Sequence, residues 1–269
     1  MSAEWFEVKE VGDAIWAIDD RGCDVMYLVS GDERCLLMDT GWGVGDLPVL
    51  VASLSPLPLT VVNTHGHPDH VFGNGQFAQV YVHVADEAAA RELPSAEMRT
   101  WIVDNALPKP LPAGFQFDVW AVAGPGSLDT IQDGHVFDLG GRDLEVISVP
   151  GHTPGSICLL DRQARVLFTG DSVLPGAVWL HLDESLPLSR FRENLQRLQG
   201  LADAFDTILP GHADLQALPL SKNLLGDLVA GIGRTLAGEL VGREEKTFAG
   251  DGLRCDFGSC GIVYRPDRL

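Results

Sequence analysis

The sequence predicts an α/β protein in which two β-sheets pack together with helices on the outside. Short apolar runs bounded by Gly, Pro, Asn and Asp alternate with single amphipathic helices, and this alternation occurs twice along the chain. Composition agrees: 45% hydrophobic and 21% charged residues over 269 positions give enough apolar surface for a large layered domain and exclude a mostly disordered chain.

The elements follow in order. Trp5 to Val11, Ala14 to Ile18, Asp24 to Val29 and Arg34 to Met38 read as strands, because Gly-Asp and Asp-Arg-Gly turn chemistry separates them. Leu47, Leu50 and Leu54 recur at helical spacing within Gly43 to Leu54, and Pro56 and Pro58 stop that helix. Leu59 to Asn63 is a buried strand that runs into Thr64-His65-Gly66-His67-Pro68-Asp69-His70, where Gly and Pro predict no regular structure. Gln79 to His83 is a strand and Ala85 to Leu93 a helix. The stretch at about 94–130 holds five of the sixteen prolines together with Trp101, Phe115, Phe117 and Trp120, and reads as an insertion. Two readings of its aromatics stand open: the wall of a small-molecule pocket, or a satellite core beneath a long loop.

Strands resume in Gly134 to Val149, with Gly140-Gly141 as a hairpin turn, then in Ser156 to Leu160 and Arg165 to Thr169. Ser189 to Gly200 is an amphipathic helix and Thr207 to Leu209 a short strand. At about 220–269 a helical region and a hairpin around Arg254 to Tyr264 close the chain. No loose linker interrupts it, so 1–269 reads as a single domain.

Nineteen Lys and Arg against thirty-eight Asp and Glu give a net charge of −19, which repels nucleic acids and anionic membrane surfaces. No stretch approaches eighteen uninterrupted apolar residues, and the first residues carry acid where a secretion signal needs base. The expectation is a cytoplasmic protein with a small-molecule substrate and neither a nucleic-acid nor a membrane partner; the oligomeric state stays open. Five cysteines, an odd number, read as reduced thiols, although Cys255 and Cys260 leave a cross-hairpin disulfide open.

The chemistry concentrates in histidines and aspartates. His65 and His67, two apart on an extended loop, can face one side and share one metal, while Asp69 and His70 follow the turn forced by Pro68 and can reach a second position. Three later segments each run from an apolar strand into a Gly-containing turn that delivers one donor: His152 in Pro150-Gly151-His152, Asp171 in Gly170-Asp171-Ser172, and His212 in Pro210-Gly211-His212. Singly each turn is a weak signal. Together, in this order, they are not.

This ordered set resembles that of the metallo-β-lactamase superfamily of hydrolases, with Asp39 of Leu37-Met38-Asp39-Thr40-Gly41 completing the pattern; the resemblance spans roughly Val25 to His212. It implies a four-layer αββα sandwich of two mixed β-sheets flanked by helices, with a dinuclear metal centre at one edge. By the same resemblance His65, His67 and His152 would hold the first metal, Asp69, His70 and His212 the second, and Asp171 would bridge them. Two Zn2+ per chain are implied, with Fe or Mn admitted by the same donors. Asp39 is similar to the family's acid that orients a ligand imidazole; the alternative is an Asp that closes a strand and caps the next helix.

The activity implied is hydrolysis of a small ester, lactone or thioester by a metal-bridging hydroxide, with Asp69 and Asp171 offsetting the positive charge. His181, ten residues after Asp171, is a candidate proton donor to the leaving group, because imidazole titrates near neutrality. His83 and His135 read as structural. Departures from particular branches narrow the choice. The bridging position is Asp171 rather than the Cys of one large group of β-lactamases, and His67 is not the Glu of the flavodiiron branch. Val178-Trp179-Leu180-His181 lacks a lactonase tyrosine, and the tail offers few basic residues for glutathione. RNA-processing members share the motif, but the net charge opposes them. The alternatives are a mononuclear-iron oxidoreductase of the persulfide dioxygenase kind, a β-lactamase or phosphodiesterase on the same fold, and a non-catalytic binding protein.

Overall fold

Turn chemistry sets the first four strands where the sequence places them. In the computed structural model, which describes residues 5–92, 95–124 and 126–269, they are β1 (Glu7–Gly12), β2 (Ile15–Asp19), β3 (Val25–Ser30) and β4 (Cys35–Met38), joined as an antiparallel meander. Leu93 and Pro94, where the expected helix ends and the expected insertion begins, lie outside the described residues.

Two compact units result. One comprises Met1–Ile131, Phe137–Asp143 and Asp214–Gln216, the other Gln132–Val136, Leu144–Ala213 and Ala217–Leu269. In the first, helix α1 (Leu47–Leu54) carries the chain back across the sheet, so β5 (Leu59–Val62) pairs parallel with β4. Asp46 caps α1 by accepting the Val49 N–H, and the chain leaves it at Ser55, just before Pro56. Strands β6 (Gln79–His83) and β7 (Ser127–Ile131) extend the parallel half, giving a seven-stranded sheet in the order β1 to β7. Leu47, Leu50 and Val51 of α1 bury themselves against Met26, Leu28, Leu37 and Val80.

Short helices follow β5: α2 (Pro68–Val71), α3 (Glu87–Arg91), α4 (Ala96–Trp101) and α5 (Phe117–Trp120). The first of these corrects the sequence reading, which left 64–70 irregular throughout. Pro68 stands in the first turn of α2, where a helix needs no N–H and proline's fixed φ already suits it. Gly66 and Pro68 therefore deliver the chain into a helical turn rather than prevent one.

The expected insertion also differs at its end, since 127–130 belong to β7 at the sheet edge. Its aromatics pack together. Trp120 lies among Phe72, Phe115 and Phe117 and donates its indole N–H to the Trp42 carbonyl at 2.6 Å. With Trp5, Ile102 and Leu107 they form a satellite core, the second of the two readings left open.

The next strands are β8 (Val136–Asp138), β9 (Asp143–Ser148), β10 (Ile157–Asp161), β11 (Val166–Gly170), β12 (Val178–Leu180), β13 (Thr207–Pro210) and β14 (Leu220–Ser221); Phe137–Asp143 belong to the first unit and the rest to the second. Apart from β12 they form a sheet in the order β14-β13-β11-β10-β9-β8, with β11 and β13 parallel. Helices α6 (Leu188–Gln199) and α7 (Asn223–Leu236) cover it; Phe191, Leu195 and Leu198 of α6 recur at helical spacing and meet Leu167, Ile208 and Leu228 in one buried cluster. The expected terminal hairpin is part of a third sheet. Strands β15 (Arg243–Thr247), β16 (Gly250–Asp256) and β17 (Gly261–Tyr264) join β12 in the order β12-β17-β16-β15. Polar β15 and three-residue β12 carried no apolar alternation from which to read them. All five cysteines, Cys255 and Cys260 included, are free thiols. No helix among the described residues is long and apolar enough to cross a membrane.

Packing in α7 gives a test. A Cβ on buried Gly231 would fall among the ring atoms of Phe257, whereas one on Gly226 of the same helix would meet only the Gln199 side chain at 3.7 Å. Alanine favours helices by ~1 kcal/mol over glycine, so Gly226→Ala should raise the urea midpoint or leave it unchanged. Gly231→Ala should lower stability by about 1–3 kcal/mol through overpacking, read as a lower midpoint at constant m.

Candidate metal centre

In the first unit three adjacent parallel strands end at one edge of the sheet, where α/β sheets hold their functional side chains. Asp39 follows β4, the segment from Thr64 to His70 follows β5, and Asp86 follows β6. Asp39 adopts a left-handed φ of 63°, which Asp and Asn tolerate better than most residues. The buried carboxylate accepts the Thr64 N–H on Oδ1 and the Thr64 hydroxyl on Oδ2, both at 2.7 Å. Oδ2 also accepts the His70 Nδ1–H at 3.0 Å, which leaves Nε2 as the donor atom of that ring. Because the Thr64 hydroxyl proton is directed to Asp39, its oxygen accepts from His65 Nδ1 at 3.2 Å, and His65 also presents Nε2.

His65 Nε2 lies 3.1 Å from His67 Nδ1, a spacing at which two ring lone pairs need a proton or a cation between them. Asp69 Oδ2 stands 3.8 Å from His70 Nε2. The backbone is pinned as firmly as the rings. The His70 carbonyl accepts from Thr40 N at 3.0 Å, Thr40 Oγ1 at 3.1 Å and Asn63 Nδ2 at 3.0 Å. Asn63 and Asn74 exchange side-chain amide bonds of 3.1 and 2.8 Å. Asp86 accepts the Gly66 N–H at 2.9 Å, fixing the turn between His65 and His67.

The second unit repeats the device. β9, β11 and β13 run in one direction, so their carboxyl ends share an edge. Gly170 is in register with Pro210, which sets Asp171 and His212 on neighbouring turns. His152 donates Nδ1–H to the Trp179 carbonyl at 2.7 Å and turns Nε2 toward Asp171, 3.6 Å from Oδ2; His212 Nε2 is 3.3 Å from the same oxygen. Its loop rests on α6, where Asn194 donates to the Pro150 carbonyl at 2.7 Å, and Ser185 donates to the His152 carbonyl at 2.8 Å. A Cβ on Gly151 would collide with the Phe191 ring, so glycine is required there.

His65, His70 and His152 each have the remote ring nitrogen tied to an acceptor, as metal-binding histidines do, and the chain contains His/Asp groups that could hold a divalent metal. The profile of the metallo-β-lactamase superfamily matches residues 19–212. The chain belongs to that superfamily. Within it, the chain is 35% identical over 234 residues to the acyl-coenzyme A thioesterase MBLAC2 of Gallus gallus, covering 80% of this chain and 83% of that one. Identity to the Homo sapiens protein of the same name is 34% over 235 residues, covering 79% and 83%. The metallo-β-lactamase from Pontibacter korlensis, at 20% identity, superposes with a TM-score of 0.59 over 87% of this chain and 100% of that one, which identifies the shared metallo-β-lactamase fold. This member of the superfamily is a hydrolase with His/Asp clusters suited to a divalent metal.

His181, the candidate proton donor, follows β12. It is buried, meets Trp179 edge to face with ring centroids 5.3 Å apart, and bonds through Nε2 to Thr247 Oγ1 at 2.9 Å. Burial holds its imidazole below the usual histidine range, with Glu184 and Asp251 opposing. His83 Nδ1 accepts the Ala85 N–H, the structural role expected of it. Thr64, Asn63, Asn74 and Asp86 were not singled out in the sequence, and Trp179 was noted only as part of the stretch from Trp179 to His181. Trp179 acts through its backbone, which no side-chain pattern reports.

Asp39 orients two imidazoles, so its loss should weaken metal binding about 10–100-fold in chelator competition. Asparagine tolerates the left-handed backbone, so Asp39→Asn should fold like wild type and bind metal less tightly, with Asp39→Ala weaker still. Equal affinity in all three would assign Asp39 to the strand end alone.

Proposed function

We propose that this chain hydrolyses small acyl thioesters with two divalent metal ions. His65, His67 and His152 would hold one, Asp69, His70 and His212 the other, with Asp171 bridging. The observation that supports this most directly is the oriented donor set itself, in a chain 35% identical across 80% of its length to an acyl-coenzyme A thioesterase. The donors are imidazole and carboxylate throughout, which suits zinc and also admits iron or manganese.

Such ions, when bound, bring the pKa of water from about 15.7 to about 7 and polarise an acyl carbonyl. The residues supply the remainder. Asp69 and Asp171 offset positive charge and hold the set together. Asp39, Thr64 and the Trp179 carbonyl keep the ligand nitrogens in the one tautomer that presents a lone pair, so no reorientation is required when substrate arrives. A thioester suits this arrangement, because a thiol ionises near pH ~8.5 and departs as thiolate without an acid. An oxygen ester expels a far more basic alkoxide, and there His181, once protonated on Nδ1 as well, would serve as the proton donor.

Reconstituted protein should contain two metals per chain and hydrolyse acyl-coenzyme A; Asp171→Ala should lose both metal and turnover. One iron per chain with oxygen uptake on a persulfide would overturn this reading in favour of the dioxygenase alternative. His181→Asn should reduce oxyester hydrolysis more than thioester hydrolysis, and equal losses would remove the proton-donor role.

A further inference from the structure

The hairpin joining β15 and β16 exposes an aromatic side chain at its tip. Thr247 pairs with Gly250, so the turn is the two residues Phe248 and Ala249, and Phe248 is 71% exposed. Its ring meets Trp179 edge to face, centroids 5.1 Å apart, and Trp179 is itself only half-buried. Trp179 is also the residue whose carbonyl holds His152. An open aromatic surface of two adjoining rings therefore begins at the residue that orients a ligand histidine.

The tip is fixed in place. Thr247 Oγ1 donates to the Gly250 carbonyl at 2.8 Å and accepts from Ala249 N at 3.1 Å, so His181 must donate Nε2–H to the same oxygen. Gly252 on β16 leaves room for this approach, because a Cβ there would stand 3.0 Å from the His181 Cβ. A cavity of about 450 Å³ borders the same tip and is lined by His181, Asp183, Glu184, Gly250, Asp251 and Arg265. Arg265 is paired with Asp183 at 2.9 Å and with Asp267 at 3.0 Å. The carboxylates on this side repel phosphate, so the polyanionic thiol portion of a coenzyme A ester is disfavoured here. An uncharged hydrocarbon is not.

Resting on the thioesterase reading, we propose that Phe248 and Trp179 form the wall that holds the acyl chain of the substrate, making the hairpin tip a specificity determinant. The ratio of kcat/KM for dodecanoyl-coenzyme A over acetyl-coenzyme A should fall about tenfold in Phe248→Ala and in Trp179→Leu. The second variant keeps the backbone carbonyl that holds His152. Val241→Ala, at an 85% exposed apolar position, should leave the ratio unchanged. The thioether S-dodecyl-coenzyme A, which cannot be hydrolysed, gives a readout independent of turnover: its Kd by calorimetry should rise about tenfold in both variants, while that of coenzyme A should not.

An unchanged ratio and Kd would overturn the proposal, as would equal weakening of coenzyme A and its dodecyl thioether, which would assign the wall to the thiol portion. A wild type that binds the thioether no better than coenzyme A would overturn it too. Loss of thioether binding in the variants of a protein that hydrolyses no thioester would sustain the acyl wall and remove the thioesterase reading instead.

Discussion

One buried carboxylate sets the chemistry of the first unit. Asp39 accepts the Thr64 hydroxyl and the His70 ring N–H on a single oxygen, and through that hydroxyl it also decides which nitrogen of His65 is protonated. Two imidazoles thereby take the same tautomer from one source. The arrangement depends on burial, since in water each of these groups would exchange partners freely. It also depends on the left-handed turn at Asp39, which points the carboxylate back across the end of β5. The Asn63–Asn74 exchange and the bonds converging on the His70 carbonyl then fix α2 as a rigid body. A four-residue helix would not hold its shape alone.

The second unit reaches an equivalent result by another route. Its orienting acceptor is the carbonyl of Trp179, a backbone group that cannot titrate and is fixed by the pairing of β12 with β17. Strand register does what the side-chain network does in the first unit: Gly170 opposite Pro210 places Asp171 and His212 on adjacent turns. Both solutions put the donors on loops at strand ends, where a rigid sheet sets position and the loop sets chemistry.

The donor pattern stood out in the sequence because metal-binding side chains come from a short list, His, Asp, Glu and Cys, and their order along the chain survives folding. Strands with apolar runs, such as β3, β6 and β10, were legible for a similar reason, since burial on a sheet imposes residue type. What escaped lacks a type constraint. β15 is polar and β12 is three residues long, so neither carries alternation. Pro68 was read as a breaker because proline ends helices more visibly than it begins them, though its position in the first turn of α2 obeys the same stereochemistry. Asp86 meets Gly66 across twenty residues, and Trp179 meets His152 across twenty-seven. Partners that distant are brought together by topology alone, and a single sequence has no spacing rule for them.

The division of labour within Trp179 has a consequence for how such a site can change. Its carbonyl orients His152 whatever side chain it bears, while its indole faces Phe248 on a hairpin that contributes none of the proposed metal donors. Replacing either ring alters the apolar surface and leaves the ligand tautomer untouched. The reverse holds for Asp39, where one carboxylate serves two imidazoles and no substitution preserves the charge, the fork of acceptors and its reach together. On the proposed reading, metal chemistry is tied to groups that cannot vary independently, and substrate preference to groups that can. A fold arranged in this way would keep one hydrolytic centre while its hairpin tip is rebuilt for different acyl groups.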